Sequence, residues 1–460
     1  MNSYRSDIVI IGGGAAGLMA AYGAAMQARL GGLPLTVTVL EKMPRPGRKI
    51  MITGKGRCNF TNVKPWNDFS AHISSGSRFV KNAFYNFDCN AVLDFFESQG
   101  VKTVVERGDR AYPASYKSSD IVDALVRACF GEGVKIATGT EVSGISIDNG
   151  FIIDALEAAG PARWKCSRLI ISTGGLSYPG TGSTGDGYTW ARSFGHTVTP
   201  LFPSLTALVP AGYKTDVVHD ASMKGHIDRS FPLSETGSKL RGIHLENIAV
   251  SVSAAGGGLI AEEFGEADFT DGGIEGAAIF RLSRKCVKAM LNGARLSLKI
   301  DLKPAVSSED LLERVRSLWK EADKPSRRPM REKDKCMMIL RNLLPAEMIP
   351  AFLDCHPRIM TLQRISKTQT KLWVNLENIV KALKDWEMDI DGYVGYERCV
   401  VTAGGVSTDE VSPKTMESKK CPGLYLCGEV LDIDSDTGGY NLQTAFSTGM
   451  LAGQSAAARV

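Results

Sequence analysis

The sequence predicts an α/β fold: one doubly wound parallel-sheet domain assembled from both ends of the chain and interrupted by a large insertion. Three observations lead there. A strand-like run, Asp7–Ile11, passes at once into Gly12-Gly13-Gly14-Ala15-Ala16-Gly17 and an Ala-rich stretch, Leu18–Arg29. Buried-strand runs followed by glycine loops return only at Leu169–Gly175 and after about residue 400. Between about residues 196 and 390 the texture changes to short alternating runs and charged helical stretches. At 460 residues the chain is too long for one core, so two or three domains are expected.

Each element has its own reason. Gly12, Gly14 and Gly17 carry the G-x-G-x-x-G spacing between strand and helix. The first makes a tight turn, the second lets backbone approach a pyrophosphate, and the third lets helix and strand close on each other. Ala15 and Ala16 open the helix, where free N–H groups and the dipole favour an anion. A second apolar run, Leu35–Leu40, ends in Glu41 and then Lys42. A carboxylate 29 residues after Gly12 can bind the two hydroxyls of an adenosine ribose. The usual spacing is nearer ~20, so the helix and the Gly31-Gly32-Leu33-Pro34 turn are expected to be long. An acid at this point favours FAD or NAD over NADP, because it repels a 2′-phosphate.

A long loop follows, Lys42–Asn62, then helical patterns at Asn90–Gln99 and Ser118–Phe130. Gly180–Gly187 is a glycine-rich loop before helical Tyr188–Phe194. Ile248–Val252 alternates as an antiparallel strand does, and strand character returns at Lys371–Val374. The chain closes with strand Gly423–Cys427 and a helix over Asn441–Arg459. The expected domains are 1–195 with 391–460 as the cofactor domain, 196–270 with 346–390 as a β-rich insert, and 271–345 as a helical insert.

Composition narrows the function classes. Hydrophobic content of 43% and charged content of 23% are those of an ordinary globular enzyme. A net charge of +4 and the lack of an aromatic-basic patch argue against a nucleic-acid partner or an anionic membrane. No apolar run approaches the ~20 residues that span a bilayer, and no signal-peptide pattern is read, so a cytoplasmic protein is expected. The ten cysteines show no C-x-x-C and no pairing with the six histidines, which predicts free thiols and no metal. Lys324–Arg328 and Arg331–Lys333 read as a solvated loop. Nothing in the sequence signals an oligomeric state.

Four further segments have the composition of backbone-binding loops. The first runs from Lys49 through Thr53, Gly54, Gly56, Arg57, Cys58 and Asn59 to Asn62. The second is Ser172-Thr173-Gly174-Gly175, with Asp186 in the next glycine loop, and the third is Thr402–Val406. The fourth holds Gly428 and Glu429, with Asp432 as a competing acid, and continues to Gly438-Gly439-Tyr440-Asn441-Leu442. Loops after buried strands collect along the carboxyl edge of a parallel sheet, where ligands bind. Gly438-Gly439 lets backbone approach a flat ring, and the helix behind it points the amides of Asn441 and Leu442 at that ring. A reduced flavin carries negative charge there, which a helix N-terminus stabilises. Tyr440, beside these glycines, is the first candidate proton donor, ahead of Tyr178, Tyr188, His196, His219, His226 and His244. Arg57 can lower the pKa of Cys58. With no second cysteine nearby, packing or flavin contact is the preferred role for this thiol.

These residues carry a resemblance. Ile52–Asn62, Thr402–Val406, Lys414–Lys419, Gly428–Asp432 and Gly438–Gln443, with the N-terminal motif, resemble the HI0933-like family of bacterial NAD(P)/FAD-dependent oxidoreductases. The resemblance implies a glutathione-reductase-like FAD-binding Rossmann domain, an inserted β-rich, barrel-like domain and a small helical domain. Family members resemble enone reductases of the bile-acid pathway and aminoacetone oxidases alike. The expected function is therefore an FAD-dependent reductase that takes hydride from NAD(P)H to a conjugated C=C bond of a small apolar substrate. The alternatives are an FAD oxidase of a small amine such as aminoacetone, and a non-catalytic or RNA-modifying flavoprotein. No second G-x-G-x-x-G unit is visible, so a nicotinamide cofactor is expected to bind transiently over the flavin or not at all. The family's Thr-His-x-Gly-x-Ser-Gly-Pro element reads here Thr270-Asp271-Gly272-Gly273-Ile274-Glu275-Gly276-Ala277, with Asp271, Glu275 and Ala277 for His, Ser and Pro. Because the insert is expected to roof the flavin, this departure points to a different substrate.

Overall fold

Ile8–Ile11 is buried end to end and lies at the centre of a five-stranded sheet. The order is Leu424–Leu426, Arg168–Ile171, Ile8–Ile11, Val37–Glu41, Lys135–Thr138, and every pairing is parallel. Such sheets are covered on both faces, which is why the three inner strands, Arg168–Ile171, Ile8–Ile11 and Val37–Glu41, read as mainly Ile/Val/Leu runs, while the edge strand Lys135–Thr138 does not. The structure is a computed structural model and describes residues 2–217, 225–322, 330–366 and 369–459. His219 and Lys324–Arg328 lie outside the described residues.

The chain divides into two compact units, Met1–Ser204 with Cys399–Val460, and Leu205–Arg398. In the first, helix Ala15–Leu30 follows the glycine turn and packs on the C-terminal helix Tyr440–Ala457. The two backbones touch. A Cβ on Gly449 would lie 2.3 Å from the Ala16 carbonyl oxygen, and one on Gly453 2.0 Å from that of Ala20. A second sheet in this unit joins Asn2–Arg5, Gly160–Cys166, Phe151–Glu157 and Glu141–Ile147. A small one joins Thr61–Asn62, Arg110–Pro113 and Thr103–Glu106.

The second unit is a closed barrel of six strands. Leu208–Pro210, Gly273–Glu275, Leu259–Thr270, His244–Ala254, Leu296–Asp301 and Trp386–Val394 pair in that order, and Leu208–Pro210 pairs back with Trp386–Val394. Val250, Val252, Phe269, Leu298, Ile300 and Trp386 are all buried. The stretch 271–345, expected to be helical, therefore contributes two barrel strands as well as helices Ala277–Leu291, Ser308–Ala322 and Glu332–Arg341. Leu296-Ser-Leu-Lys-Ile-Asp301 alternates with period two, and its burial alternates with it. Arg331–Lys333, read as loop, instead starts the helix Glu332–Arg341.

Asp271 and Glu275, the departures from the family element, share Arg398. Its Nη1 donates to Asp271 Oδ1 at 2.7 Å, while Nε and Nη2 grip Glu275 at 3.0 and 2.8 Å. Arg229 Nε donates to the other Asp271 oxygen at 2.8 Å. Acids at both positions thus lock the turn between two barrel strands with bidentate, charge-assisted bonds.

Candidate functional site

The glycine loop divides its work as its spacing predicts. Gly12 sits at φ 101°, and a Cβ there would lie 2.7 Å from the Ser172 carbonyl oxygen. At Gly17 a Cβ would lie 1.8 Å from the Gly12 oxygen, so this residue sets the helix–strand distance. An added Cβ at Gly14 meets nothing within 4 Å, because it faces a cavity. Gly12, Gly14, Ala15 and Ala16 form one wall of that cavity, and the first N–H groups of helix Ala15–Leu30 have no intrahelical partner.

Glu41, at the end of its strand, is 9% exposed and lines the same cavity. It accepts the Gly13 N–H at 2.7 Å through one oxygen and the Met43 N–H at 2.8 Å through the other. Burial raises its carboxyl above the ordinary range, against the pull of these two amides. Lys42 donates to Asp186 at 2.7 Å and to Thr184, bringing the Lys42 and Asp186 side chains to one wall.

Lys49, Thr53, Thr173, Gly174, Gly428 and Glu429 also line the cavity. Lys49 Nζ donates to Glu429 Oε2 at 2.6 Å and to Ser177 Oγ at 2.5 Å. The other Glu429 oxygen accepts Ser177 Oγ at 2.7 Å and the Thr402 N–H at 2.9 Å. Gly175 packs behind this network, since a Cβ there would lie 2.4 Å from Thr402 Oγ1. Of the two competing acids, Glu429 is on the wall. Asp432 is not, and its oxygens accept the hydroxyls of Ser75 and Thr199, each at 3.0 Å.

The C-terminal helix brings Asn441, Leu442, Thr444 and Ala445 to the cavity. Its first residue follows Gly439, at φ 94°, where a Cβ would lie 2.4 Å from the Thr61 carbonyl carbon. Gly438 is also left-handed, at φ 119°. Asn441 fixes the turn by accepting the Ser435 N–H at 3.0 Å and donating to the carbonyls of Ser435 and Asp436. The Tyr440 ring lies away from the cavity wall, 3% exposed and stacked on His72 at 4.3 Å between centroids.

Several expected loop residues lie off the wall. Gly54, Gly56, Arg57, Cys58 and Asn59 do not line the cavity. The Cys58 thiol is fully buried and burial pushes it up to about 12, so Arg57 does not activate it. Arg57 turns instead to Glu106 at 2.7 Å and to the rings of Tyr112 and Tyr116. Asn59 donates to the carbonyls of Thr61 and Ala111. Of the other candidate donors, buried His196 bonds Ser418 at 2.7 Å, and Tyr188 donates to the Glu429 carbonyl at 3.4 Å. His244 pairs with Asp268 at 2.7 Å, and His226 stands 3.7 Å from Glu397.

Arg45 and Arg48 line the cavity too, and the reading of the sequence missed them. Their position in Met43-Pro-Arg-Pro-Gly-Arg-Lys49, directly after the ribose acid, was the available signal. Thr140 and Val142 had none. The strand Lys135–Thr138 pairs with Val37–Glu41 and delivers them to the cavity.

A family model, the HI0933-like protein Rossmann domain, matches residues 6–455. Over 453 residues the chain is 32% identical to the 3-dehydro-bile acid delta(4,6)-reductase of Clostridium scindens, covering 98% of this chain and 99% of that one. It is 30% identical over 448 residues to the ribosomal RNA dihydrouridine synthase of Haemophilus influenzae, covering 97% of each. The like-named protein of Escherichia coli is 29% identical over 445 residues, covering 96% of each. Among the described residues no helix is long and apolar enough to cross a membrane, and no group of metal-ligating side chains is present.

Proposed function

This chain belongs to the HI0933-like family of FAD-dependent oxidoreductases, and from that premise we propose that it reduces a C=C bond conjugated with a carbonyl, using NADH or NADPH as donor. One observation supports this most: two helix N-termini, at Gly14–Ala16 and Asn441–Leu442, open onto one cavity. Each is a fixed partial positive charge. One suits a diphosphate, the other the charge that a flavin ring gains on reduction.

The residues fit an FAD on their own chemistry. Gly14 leaves bare backbone where a diphosphate must approach. Thr173 and Thr444 line the cavity as well, and their hydroxyl oxygens are buried without a hydrogen-bond partner among the described residues. Glu41 takes the ribose hydroxyls, while Lys49, locked by Glu429 and Ser177, presents a charge of fixed position. Asn441 holds the Ser435–Asp436 turn, so the C-terminal helix meets the ring without rearranging. When bound, FAD supplies reversible two-electron chemistry between a nicotinamide and an unsaturated acceptor.

The acceptor class follows from the names of two relatives. A 3-dehydro bile acid with 4,6-unsaturation conjugates its double bonds to the 3-carbonyl, and dihydrouridine is uridine reduced at a double bond conjugated to a ring carbonyl. The common chemistry is hydride delivery to the carbon β to a carbonyl. A small apolar enone and a uracil ring are both members of that class.

Anaerobic mixing tests the proposal. NADH or NADPH should bleach the bound flavin, and an α,β-unsaturated ketone or a uracil-containing RNA should restore its colour. Bleaching by aminoacetone with no response to either nicotinamide would overturn the reductase reading in favour of the amine oxidase. Glu41→Ala should weaken FAD about ten- to hundredfold, the loss of charge-assisted hydroxyl bonds of ~1.5–3 kcal/mol. Titration of apoprotein with FAD measures it, and equal affinity would remove Glu41 from the site.

A further inference from the structure

We infer that the hairpin Thr103–Pro113, with the loop Gly54–Arg57 and Tyr116, forms a binding surface for single-stranded RNA. The expectation of no nucleic-acid partner rested on the weak net charge and on the lack of an aromatic-basic patch in the sequence. Folding assembles one from separate segments. The Arg57 guanidinium lies 4.8 Å from the Tyr112 ring centroid and 4.5 Å from that of Tyr116. Tyr112 is buried, whereas Tyr116 is 37% exposed. The register sets Glu106 opposite Arg110 and Val104 opposite Tyr112, so Glu106, Arg110 and Tyr112 share one face of the hairpin.

Glu106 holds this face together. It accepts Arg57 Nη2 and the Tyr116 hydroxyl, each at 2.7 Å, and the Tyr116 bond with the neighbouring arginine charges keeps its carboxyl below the usual range. Lys55, Arg57, Lys102, Arg107, Arg110 and Lys117 are exposed around it. The acids among them are Glu97, which accepts the Thr103 hydroxyl, Glu106, Asp109, which faces Lys64 at 3.9 Å, and Asp120, which accepts the Ser115 hydroxyl at 2.6 Å. The balance is basic. Lys55, Cys58, Asp109 and Tyr116 all have positive φ, four of the ten such non-glycine residues described. Strained backbone of this kind concentrates where geometry serves binding.

A guanidinium plane and an exposed tyrosine ring offer flat π faces to unstacked bases, and surrounding lysines and arginines meet the phosphates. An acidic peptide would use the charges and leave the stacked faces idle. Position favours the same partner. Asn62 Nδ2 donates to the carbonyls of Gly108, at the hairpin turn, and Gly438, at 3.0 and 3.2 Å. The surface therefore adjoins the glycine turn at the ring end of the proposed flavin cavity. Only this adjacency rests on the reductase reading; the surface itself does not.

Fluorescence anisotropy of a labelled, uridine-rich single-stranded RNA with the FAD-loaded full chain tests the inference. Binding should fall steeply between 50 and 200 mM salt. Tyr116→Ala with Arg110→Glu should weaken it at least tenfold at unchanged FAD content, and Tyr116→Phe, which keeps the ring and loses only the bond to Glu106, should weaken it less. Lys117→Glu alone should flatten the salt dependence. Absent binding at 50 mM salt, parental affinity in the double variant, or equal competition by polyphosphate would each overturn the surface. Enone reduction by the same preparation reports separately. RNA binding without any flavin reoxidation would sink the reductase reading and leave the surface standing.

Discussion

Gly14→Leu should give a folded protein that retains no FAD. The backbone at Gly14 is extended, at φ −82° and ψ −167°, a conformation that any residue adopts. An added Cβ meets no protein atom within 4 Å, so the fold has no reason to resist the change. The leucine side chain then fills the space beside the N-terminus of helix Ala15–Leu30. A diphosphate needs that space, because the first-turn amides reach it only through bare backbone. The expected preparation is colourless, with the circular dichroism of the parent and a melting point close to that of parent apoprotein. FAD added in excess should not restore the flavin spectrum. A yellow Gly14→Leu protein with parental FAD content would move the diphosphate away from this loop.

The contrast between glycines shows what a sequence can and cannot say. The G-x-G-x-x-G spacing assigned Gly12, Gly14 and Gly17 three separate duties, and the close approaches at Gly12 and Gly17 and the open face of Gly14 follow them. Ile8–Ile11, Val37–Glu41 and Arg168–Ile171 were legible because both of their faces are buried, whereas the edge strand Lys135–Thr138, half exposed and with only Ile136 large and apolar, was not. Helix ends came within a few residues, as at Ser118–Gly131. Leu296–Asp301 was lost because its period-two pattern sits among charged helical segments, and only pairing across the barrel distinguishes it.

Site residues divide in the same way. Glu41, Lys49 and Glu429 stood in motifs with a mechanism attached. Which acid of Glu429 and Asp432 faces the cavity was a question of loop direction, settled by hydrogen bonds from Ser177, Ser75 and Thr199 that no spacing encodes. Tyr440 adjoined the right glycines, yet the left-handed turn at Gly439 sends its ring to His72 and Phe69. Arg57 was read with its neighbour Cys58, while its partners Glu106, Tyr112 and Tyr116 lie about fifty residues away in sequence. A charge's nearest neighbours in the chain say little about its nearest neighbours in space.

Gly453→Val should be among the most damaging single changes in the first unit. A Cβ at this position would stand 2.0 Å from the Ala20 carbonyl oxygen and 2.8 Å from the Ala24 nitrogen. Both are backbone atoms of helix Ala15–Leu30, so no side-chain rotamer relieves the clash. The helices must separate, and separation exposes a seam in which Ala20, Ala21, Ala24, Ala452 and Ala456 are buried. Overpacking a well-filled core costs ~1–3 kcal/mol even where side chains can yield. With backbone on both sides the loss should reach at least about 3 kcal/mol, a fall in melting temperature of roughly 6–12 °C for a domain of this size. Gly453→Ala should give a smaller fall of the same sign. Gly131→Ala, at a helical position with nothing within 4 Å, should leave the melting temperature near the parent's or raise it slightly. The helix that would part from its neighbour also carries Ala15 and Ala16 on the cavity wall, so FAD retention should fall together with stability. Thermal melts of the three variants, each with its flavin-to-protein ratio, test the chain of cause: a Gly453→Val protein that melts with the parent would show that the two helices have room between them.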